Sequence, residues 1–168
     1  MRIVSQARTT KVNAIKDMTA TDELVFEFFK KFSSFESVLR IKKMTKAGSV
    51  LISWEVVKGR LKSCGFLLSD EQKRFTIIVH PPKELRYCEE KGGLSWELSD
   101  IGNDDSEIVV EALRRLRNNL FHGSKRFGNA TESDRNISLI RGALLILESV
   151  IDSLGYREEY TDIVDYWS

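Results

Sequence analysis

The chain has 168 residues and a formal net charge of +1 at pH 7, because 26 Lys and Arg are balanced by 25 Asp and Glu. Hydrophobic residues make up 42% of the chain and charged residues 30%, which is typical of an ordinary soluble globular domain, and the net charge excludes a polycation. At this length about 70% of the unfolded surface can be buried, so we expect one domain with its own core.

Cysteine content and hydropathy indicate the cellular compartment of the protein. Cys64 and Cys88 are too few for a disulfide framework and lack the spacing of a metal site, so we expect two reduced thiols, with Cys64 a small core residue. No apolar run approaches the ~18 residues of a membrane span, and the first residues lack an apolar signal core. The expectation is a cytoplasmic protein without a membrane partner.

Residues 1–20 are weakly patterned and predict an irregular lead-in, followed by a single domain over 21–168. N-cap candidates lie between Thr19 and Asp22. An amphipathic helix follows and is predicted to end near Gly48, and its apolar positions recur every three or four residues: Val25, Phe28, Phe29, Phe32, Phe35, Leu39 and Ile41.

The segment 49–68 predicts a second helix that ends near Gly65, with a buried stripe of Leu51, Trp54, Val57, Leu61 and Leu68. The β-branched run 75–79 fits a short strand or a buried helical turn equally. His80 precedes two prolines that end any helix. We expect an irregular insertion around residues 69–105, with a turn at 101–105.

The last helices have the clearest patterns. Asp105 or Ser106 is the expected cap of a helix that ends before Gly123 and buries Val109, Leu113, Leu116 and Leu120. Thr131 or Ser133 is the expected cap of a long helix closed by Gly155, with Ile137, Ile140, Leu144, Leu147, Val150, Ile151 and Leu154 facing inward. Residues 156–168 are apolar enough to pack back as a short helix, through Tyr160, Ile163, Tyr166 and Trp167.

The motif Arg117-Asn118-Asn119-Leu120-Phe121-His122-Gly123 closes the first of these two helices. An Arg can hold a phosphate with a forked pair of N–H groups, and an imidazole can exchange a proton near pH 7. Since successive helix residues turn by 100°, Arg117 and His122 both lie off the core stripe, near a groove edge or an interface. A capping His and a surface ion pair explain the same residues equally well.

The charge around this motif is basic. No acid occurs between Ala112 and Thr131, whereas that window contains Arg114, Arg115, Arg117, Lys125 and Arg126. Such a patch can recruit a polyanion, but it is equally consistent with a solvated helix face balanced by acids elsewhere. The helix C-terminus favours the imidazolium form of His122 and the nearby Arg side chains oppose it, so we hypothesise a titration near neutrality that NMR can follow.

Other candidate sites are weaker, and we expect no metal and no cofactor. Asp104, Asp105 and Glu107 suit a helix N-terminus better than a Mg²⁺ site. The acids around Glu84 and Glu89 are expected to lack the paired strands that a metal-dependent nuclease needs. His80 is expected to be structural or exposed.

The residues 117–123, followed by Ser124-Lys125, resemble the signature of the HEPN superfamily, an Arg followed by a polar residue and, after four to six intervening positions, a His. The aromatic segment 28–36 resembles the first helix of bacterial members, and 141–148 resembles their following core helix. The resemblance covers about residues 22 to 154. It implies an all-α, HEPN-like bundle of four to six helices with an up-and-down core.

The resemblance also implies an activity, since many members are metal-independent endoribonucleases in defence, toxin–antitoxin or RNA-processing systems. On that pattern Arg117 polarises the scissile phosphate, His122 transfers the proton, Asn118 orients the pair, and the product is a 2′,3′-cyclic phosphate. The implied partners are RNA, a second copy through the Arg117/His122 face, and an antitoxin or other regulatory protein. RNA contacts are expected at Arg114, Arg115, Asn119, Lys125 and Arg126.

Two alternatives remain at this point. Some members of the superfamily keep the bundle without cleaving RNA, so a non-catalytic dimer that binds a protein or a nucleotide fits the same residues. A nucleotide-binding accessory to a transferase encoded nearby is a third interpretation. Some toxin members carry a Tyr two residues after the His, where this chain has Ser124.

Overall fold

A computed structural model describes residues 20–89, 92–97, 100–121 and 130–166. Six α-helices lie within these ranges: α1 Ala20–Ile41, α2 Trp54–Ser63, α3 Thr76–Val79, α4 Asp105–Phe121, α5 Ala130–Leu154 and α6 Arg157–Tyr166. A 3₁₀ turn at Gln72–Arg74 precedes α3, and strands β1 Glu84–Cys88 and β2 Gly93–Glu97 lie between α3 and α4. The all-α bundle is confirmed. In the described ranges no helix is long and apolar enough to cross a membrane.

The core is one continuous apolar cluster to which all six helices contribute. Helix α1 packs on α5 and α6, α2 packs on α4, and α3 lies against α5. The buried face of α1 consists of Phe28, Phe32, Phe35, Val38 and Leu39. Burying one such side chain contributes about 1.5–3 kcal/mol, so this aromatic face holds α1 against the bundle.

Helix α1 ends at Ile41, and the prediction that it extends to Gly48 was wrong. Lys43 adopts a left-handed conformation with φ +58. The Met44 N–H donates to the Leu39 carbonyl, and the Lys43 N–H donates to that of Arg40. This is the Schellman arrangement, which satisfies the last carbonyls of a helix and turns the chain away. Ile41, predicted to be buried, is therefore exposed.

Helix α2 is shorter than predicted because residues 49–53 form a turn, closed by a bridge between Thr45 and Ile52. Leu51 lies in this turn and is exposed rather than buried. The end of the helix was predicted correctly, since Gly65 has a φ of +70 directly after the cap residue Cys64. Cys64 itself is exposed, so its prediction as a core residue was wrong.

The insertion is more regular than predicted. Residues 76–79 form the helical turn rather than the strand, and α3 ends before the two prolines. Strands β1 and β2 form an antiparallel hairpin whose register pairs Glu84 with Glu97 and Cys88 with Gly93. Gly92 has a φ of +63 in the connecting turn, a conformation that a glycine adopts without a steric cost.

Helix α4 has the predicted extent, but its cap is Asp104. The Oδ1 atom of Asp104 accepts hydrogen bonds from the N–H groups of Ser106 at 3.0 Å and Glu107 at 3.1 Å. Helix α5 begins at Ala130, so Thr131 and Ser133 lie inside the helix rather than at its cap. Gly155 closes α5 with a φ of +70, and α6 packs back as predicted.

Two further predictions concern residues outside the described ranges. The irregular lead-in falls on residues 1–20, of which only Ala20 is described, as the first residue of α1. Trp167 also lies outside the described residues. Of the other predicted contacts of α6, Tyr160 is buried, Ile163 packs against the core and Tyr166 is exposed.

Candidate nucleic-acid interface

An open groove of about 520 Å³ lies between α1, the turn before α2, the first turns of α2, and α4. Five cationic side chains line it, Arg40, Lys46, Lys58, Arg114 and Arg117. Three carboxylates line it as well, Glu36, Glu55 and Glu111. The lining therefore carries two more positive than negative charges, in a protein whose overall charge is nearly zero. A local excess of this kind attracts anions.

Helix α4 carries Arg117 into this groove, one 100° step from the buried Leu116. The side chain of Arg117 is 31% exposed. Its guanidinium carbon lies 4.3 Å from the centroid of the Phe121 ring, and Nη1 donates to the Asn118 Oδ1 atom at 3.2 Å. Stacking and one hydrogen bond orient the guanidinium. The Arg117 Nε has no hydrogen-bond partner within the described ranges.

Glu36 faces Arg117 across the groove and was not among the predicted site residues. Its side chain is 12% exposed, and one oxygen, Oε2, lies 3.6 Å from an Arg117 Nη2 and 3.7 Å from an Arg40 Nη2. Both distances exceed those of a good hydrogen bond, so the three groups form a loose ionic cluster. The four-residue spacing along α1 predicts only the ion pair of Glu36 with Arg40, which lie one turn apart. Nothing local connects Glu36 to Arg117.

Arg115 does not reach the groove, contrary to its prediction as an RNA contact. It is only 3% exposed, its Nε donates to Glu111 Oε1 at 2.9 Å, and its Nη2 donates to the Asp100 carbonyl at 2.7 Å. The bond to Glu111 lies within α4, and the bond to the Asp100 carbonyl attaches α4 to the loop before it. A strand of RNA cannot contact a side chain buried in this way.

Arg114 lines the groove, but carboxylates neutralise it. It donates to both oxygens of Glu111, at 2.6 and 3.0 Å, and to a Glu84 oxygen at 3.3 Å. Burial alone would raise the pKa of Glu111, but the hydrogen bonds from Arg114 and Arg115 outweigh it and lower that pKa to about 2. Carboxylates therefore balance both arginines, but the interpretation of a solvated helix face does not describe Arg115, which is buried.

The remaining predicted residues divide into two groups. Asn118 accepts the hydrogen bond from Arg117 described above, whereas the Asn119 Nδ2 donates to the Lys83 carbonyl at 2.9 Å and so connects α4 to the start of the hairpin. His122, Lys125 and Arg126 lie outside the described residues. His122 directly follows Phe121, the last residue of α4, in the sequence.

Besides Glu36, the groove residues that were not predicted as site residues include three cations and one aromatic residue: Arg40, Lys46, Lys58 and Trp54. Lys46 is exposed, and no carboxylate of the described ranges lies within 4.0 Å of its ammonium group. Lys58 pairs with the largely exposed Glu55 at 2.9 Å, and Arg40 Nε donates to the Val50 carbonyl at 3.2 Å. Spacing groups only Trp54 with Lys58, one turn apart on α2. The turn at 42–53 brings this pair to Arg40 and Lys46.

The half-buried ring of Trp54 packs on one side against Phe32, with 6.0 Å between the ring centroids, and it also lines the groove. The sequence predicted Trp54 as a buried stripe residue only. Trp54 is the first residue of α2, next to the turn that forms one wall of the groove. The groove thus combines cationic side chains with one aromatic ring.

The acids at the start of α4 are engaged by donors. Besides the cap at Asp104, Asp105 Oδ2 accepts from the Leu68 N–H at 2.8 Å and Glu107 Oε2 accepts from the Asn103 N–H at 2.9 Å. Their interpretation as helix N-terminal residues fits these bonds. Within the described ranges no group of His, Cys, Asp and Glu has an arrangement suited to a metal ion.

Two minor predictions have mixed outcomes. Glu84 does lie on a paired strand, contrary to the expectation, but its carboxylate is bound by Arg86 at 2.8 Å and by Arg114. Burial would raise the pKa of Glu84, but these hydrogen bonds outweigh it and lower that pKa.

His80 is exposed, as expected, and its carbonyl accepts a hydrogen bond from Arg135 at 3.3 Å.

No protein-family model, curated protein or solved structure matches this chain.

Proposed function

We propose that this chain is a metal-independent endoribonuclease of the HEPN type, which cleaves RNA to a 2′,3′-cyclic phosphate and acts as a homodimer in defence, toxin–antitoxin or RNA-processing systems. The observation that carries the proposal is the environment of Arg117. Its guanidinium is oriented by Phe121 and Asn118 at a groove with excess positive charge, and it is not consumed by a short ion pair. This arrangement suits a group that binds a phosphate.

The proposed reaction needs no metal. A base removes the proton of the ribose 2′-OH, and the 2′-oxygen attacks the adjacent phosphorus. The bond from phosphorus to the 5′-oxygen breaks, and that oxygen takes a proton from an acid. The products are a 2′,3′-cyclic phosphate and a 5′-hydroxyl. Arg117 stabilises the extra negative charge on the phosphate oxygens in the transition state, which is the kind of interaction that accelerates such a step.

The reaction requires both an acid and a base, and each chain offers one motif imidazole. A two-fold dimer supplies the second His122 and a second Arg117, since a symmetric interface presents the same residues from both copies. Asn118 is proposed to orient Arg117 and His122, and its hydrogen bond to Arg117 supports this role. The expected partners are thus RNA, a second copy of the chain and a regulatory protein such as an antitoxin.

A second candidate is a non-catalytic dimer of the same type that binds a nucleotide or a protein. The observation in its favour is that two of the four arginine and lysine residues predicted to guide RNA, Arg114 and Arg115, are held by Glu111. In this case Arg117→Ala would weaken the binding of a nucleotide or a partner, and there would be no RNA product to lose.

Cleavage of single-stranded RNA and transfer RNA in EDTA tests the proposal. We expect the wild type to cleave with unchanged rate in EDTA and the product to carry a cyclic phosphate. His122→Ala should reduce the rate by about 10²–10⁴-fold, since this is the usual contribution of a positioned acid or base. The matched control is His80→Ala, which changes the exposed second histidine and should cleave like the wild type. Equal cleavage by His122→Ala and the wild type would contradict the proposal, as would an absolute requirement for a metal ion.

A further inference from the structure

We infer that the groove between α1, α2 and α4 binds one nucleotide of a single-stranded RNA next to the phosphate held by Arg117, with Lys46 and Arg40 on its phosphate and Trp54 against its base. The inference rests on the proposed function in one respect, the identity of the strand as RNA. It adds to that function a binding subsite and residues that the Arg–His motif does not contain.

The charges of the groove favour a phosphate at its outer part. Glu36 lies between Arg117, at 3.6 Å, and Arg40, at 3.7 Å, so it compensates one of these two charges and leaves the other available. Lys46 has no carboxylate within 4.0 Å in the described part of the chain. Lys58 is close to Glu55, whose own side chain is largely exposed and free to move away. A compact ammonium such as that of Lys46 binds phosphate as a point charge.

The base would lie against Trp54. The ring packs against Phe32 and the core, which restricts its position before any ligand binds. Trp54 and Arg117 line the same groove, whose volume of about 520 Å³ falls in the range of ~300–1,000 Å³ that small-molecule sites occupy. Proteins that hold single strands combine a cationic groove with aromatic rings on which bases stack. The groove has both components.

A single strand fits better than a duplex. The groove is a concave feature formed by a turn and three helix ends or faces, and its only aromatic ring within the described ranges is Trp54. Stacking on a ring requires an unpaired base, and recognition of unpaired bases is the usual way in which proteins bind RNA. A duplex would offer only its outer phosphates to Lys46.

Binding is measured with a fluorescently labelled octamer of 2′-O-methyl RNA, which cannot be cleaved because its 2′-oxygens are blocked. We expect Lys46→Ala to weaken binding and to reduce the slope of log K against log salt concentration by about 0.7, the effect of losing one phosphate contact on a single strand. The matched control is Arg74→Ala, an exposed cation that does not line the groove and should leave both quantities unchanged.

Trp54 provides a second readout. In the double variant Trp96→Phe, Trp167→Phe the only tryptophan is Trp54, and its fluorescence should be quenched as the unlabelled octamer saturates the protein. In the wild-type background Trp54→Leu should weaken binding roughly 5- to 100-fold, whereas Trp54→Phe, which keeps an aromatic face, should lose much less. Circular dichroism confirms that each variant is folded.

Three results would overturn the inference: Trp54 fluorescence unchanged by saturating octamer, Lys46→Ala binding like the wild type, or adenosine monophosphate binding as tightly as the octamer. The last would identify a mononucleotide site instead of a strand site. These outcomes are separate from the proposed function. If cleavage depends on His122 but the Lys46 and Trp54 variants bind like the wild type, the protein is a nuclease without this subsite. If these variants lose binding and no cleavage is found, the subsite belongs to a protein that binds RNA without cutting it.

Discussion

Arg115 and Arg117 are two positions apart on α4, so their side chains leave the helix about 200° apart. Arg115 points to Glu111 and the Asp100 carbonyl and is buried. Arg117 points into the groove and stacks on Phe121. The same residue type therefore has a structural role at one position and is available for binding at the other.

Substituting each arginine by Met separates these roles. Arg115→Met should lower the free energy of unfolding by about 2–4 kcal/mol, because it removes one partner of a buried ion pair, while Glu111 keeps Arg114. Arg117→Met should cost less than about 1 kcal/mol. Under the proposed function the two substitutions should have the opposite order of effect on RNA cleavage. Arg117→Met should reduce the cleavage rate by about 10²-fold or more, and folded Arg115→Met should not. Urea denaturation and RNA cleavage of the folded variants measure the two orders. Equal stability losses would contradict the assignment of Arg115.

The pKa of Glu111, lowered to about 2, predicts that the stability of the folded protein depends on pH. A carboxyl group whose pKa is lower in the folded than in the unfolded state adds stability above its unfolded pKa of about 4.5, and this stability is lost as pH falls towards 2. The wild type should therefore lose about 1–2 kcal/mol relative to Glu111→Gln between pH 5 and pH 2, after allowance for solvent screening. Denaturant titrations of both proteins across this range measure the difference. A difference that is independent of pH would contradict the ionic role of Glu111.

The packing of α3 against α5 depends on Gly142, which lies in the buried face of α5. A Cβ atom at this position would lie 3.2 Å from the Phe75 Cβ and 3.3 Å from the Ile77 Cγ2. Both distances are too short for unstrained carbon contacts, and Ile77 is fully buried and cannot easily move. Gly142 therefore permits the close approach of α3 to α5.

Gly142→Ala should be net destabilising by roughly 1 kcal/mol, because overpacking outweighs the gain in helix propensity. The matched control is Gly59→Ala on the exposed face of α2, where an added Cβ meets no atom within 4 Å. That variant should gain about 0.5–1 kcal/mol from helix propensity alone. Thermal and urea denaturation compare the two. Stabilisation by both substitutions would show that α3 and α5 can move apart at little cost.

At the scale of the whole molecule, an apolar patch adjoins the proposed catalytic groove. Phe29 on α1 is 43% exposed and Phe121 on α4 is 42% exposed, and their ring centroids are 4.6 Å apart. Phe26, one turn before Phe29, is exposed as well. Since Phe121 also stacks on Arg117, the patch and the proposed active site are continuous. A cluster of exposed aromatic rings of this kind is typical of an interface.

The proposed dimer should therefore depend on Phe29. Phe29→Lys should raise the dimer dissociation constant by about 10-fold or more, since it places a charge in an apolar interface, and it should reduce cleavage in parallel. Leu145→Lys, at an exposed position on α5, is the matched control and should leave the assembly unchanged. Analytical ultracentrifugation measures the assembly. A wild type that cleaves RNA while it remains monomeric would exclude the two-copy mechanism.

The sequence by itself determined the features that depend on local interactions. The periodic apolar positions of α1, α4 and α5 predicted these helices, because one face of a helix must be buried. Two prolines correctly predicted the end of α3, and Gly65 and Gly155 correctly predicted the ends of α2 and α5, since these residues restrict or permit particular backbone angles. The position of Arg117 off the core stripe also followed from helix geometry alone.

Only the tertiary structure decided which charged residues are available for binding. The burial of Arg115 depends on a carbonyl in the preceding loop, and the loose cluster around Arg117 depends on Glu36 from a different helix. The groove at Trp54 exists because α1 ends at Ile41 and the following turn reverses the chain, where the sequence had predicted one helix up to Gly48 and a second helix from residue 49. Contacts between segments far apart in the chain depend on how helices pack, and spacing along one helix carries no information about them.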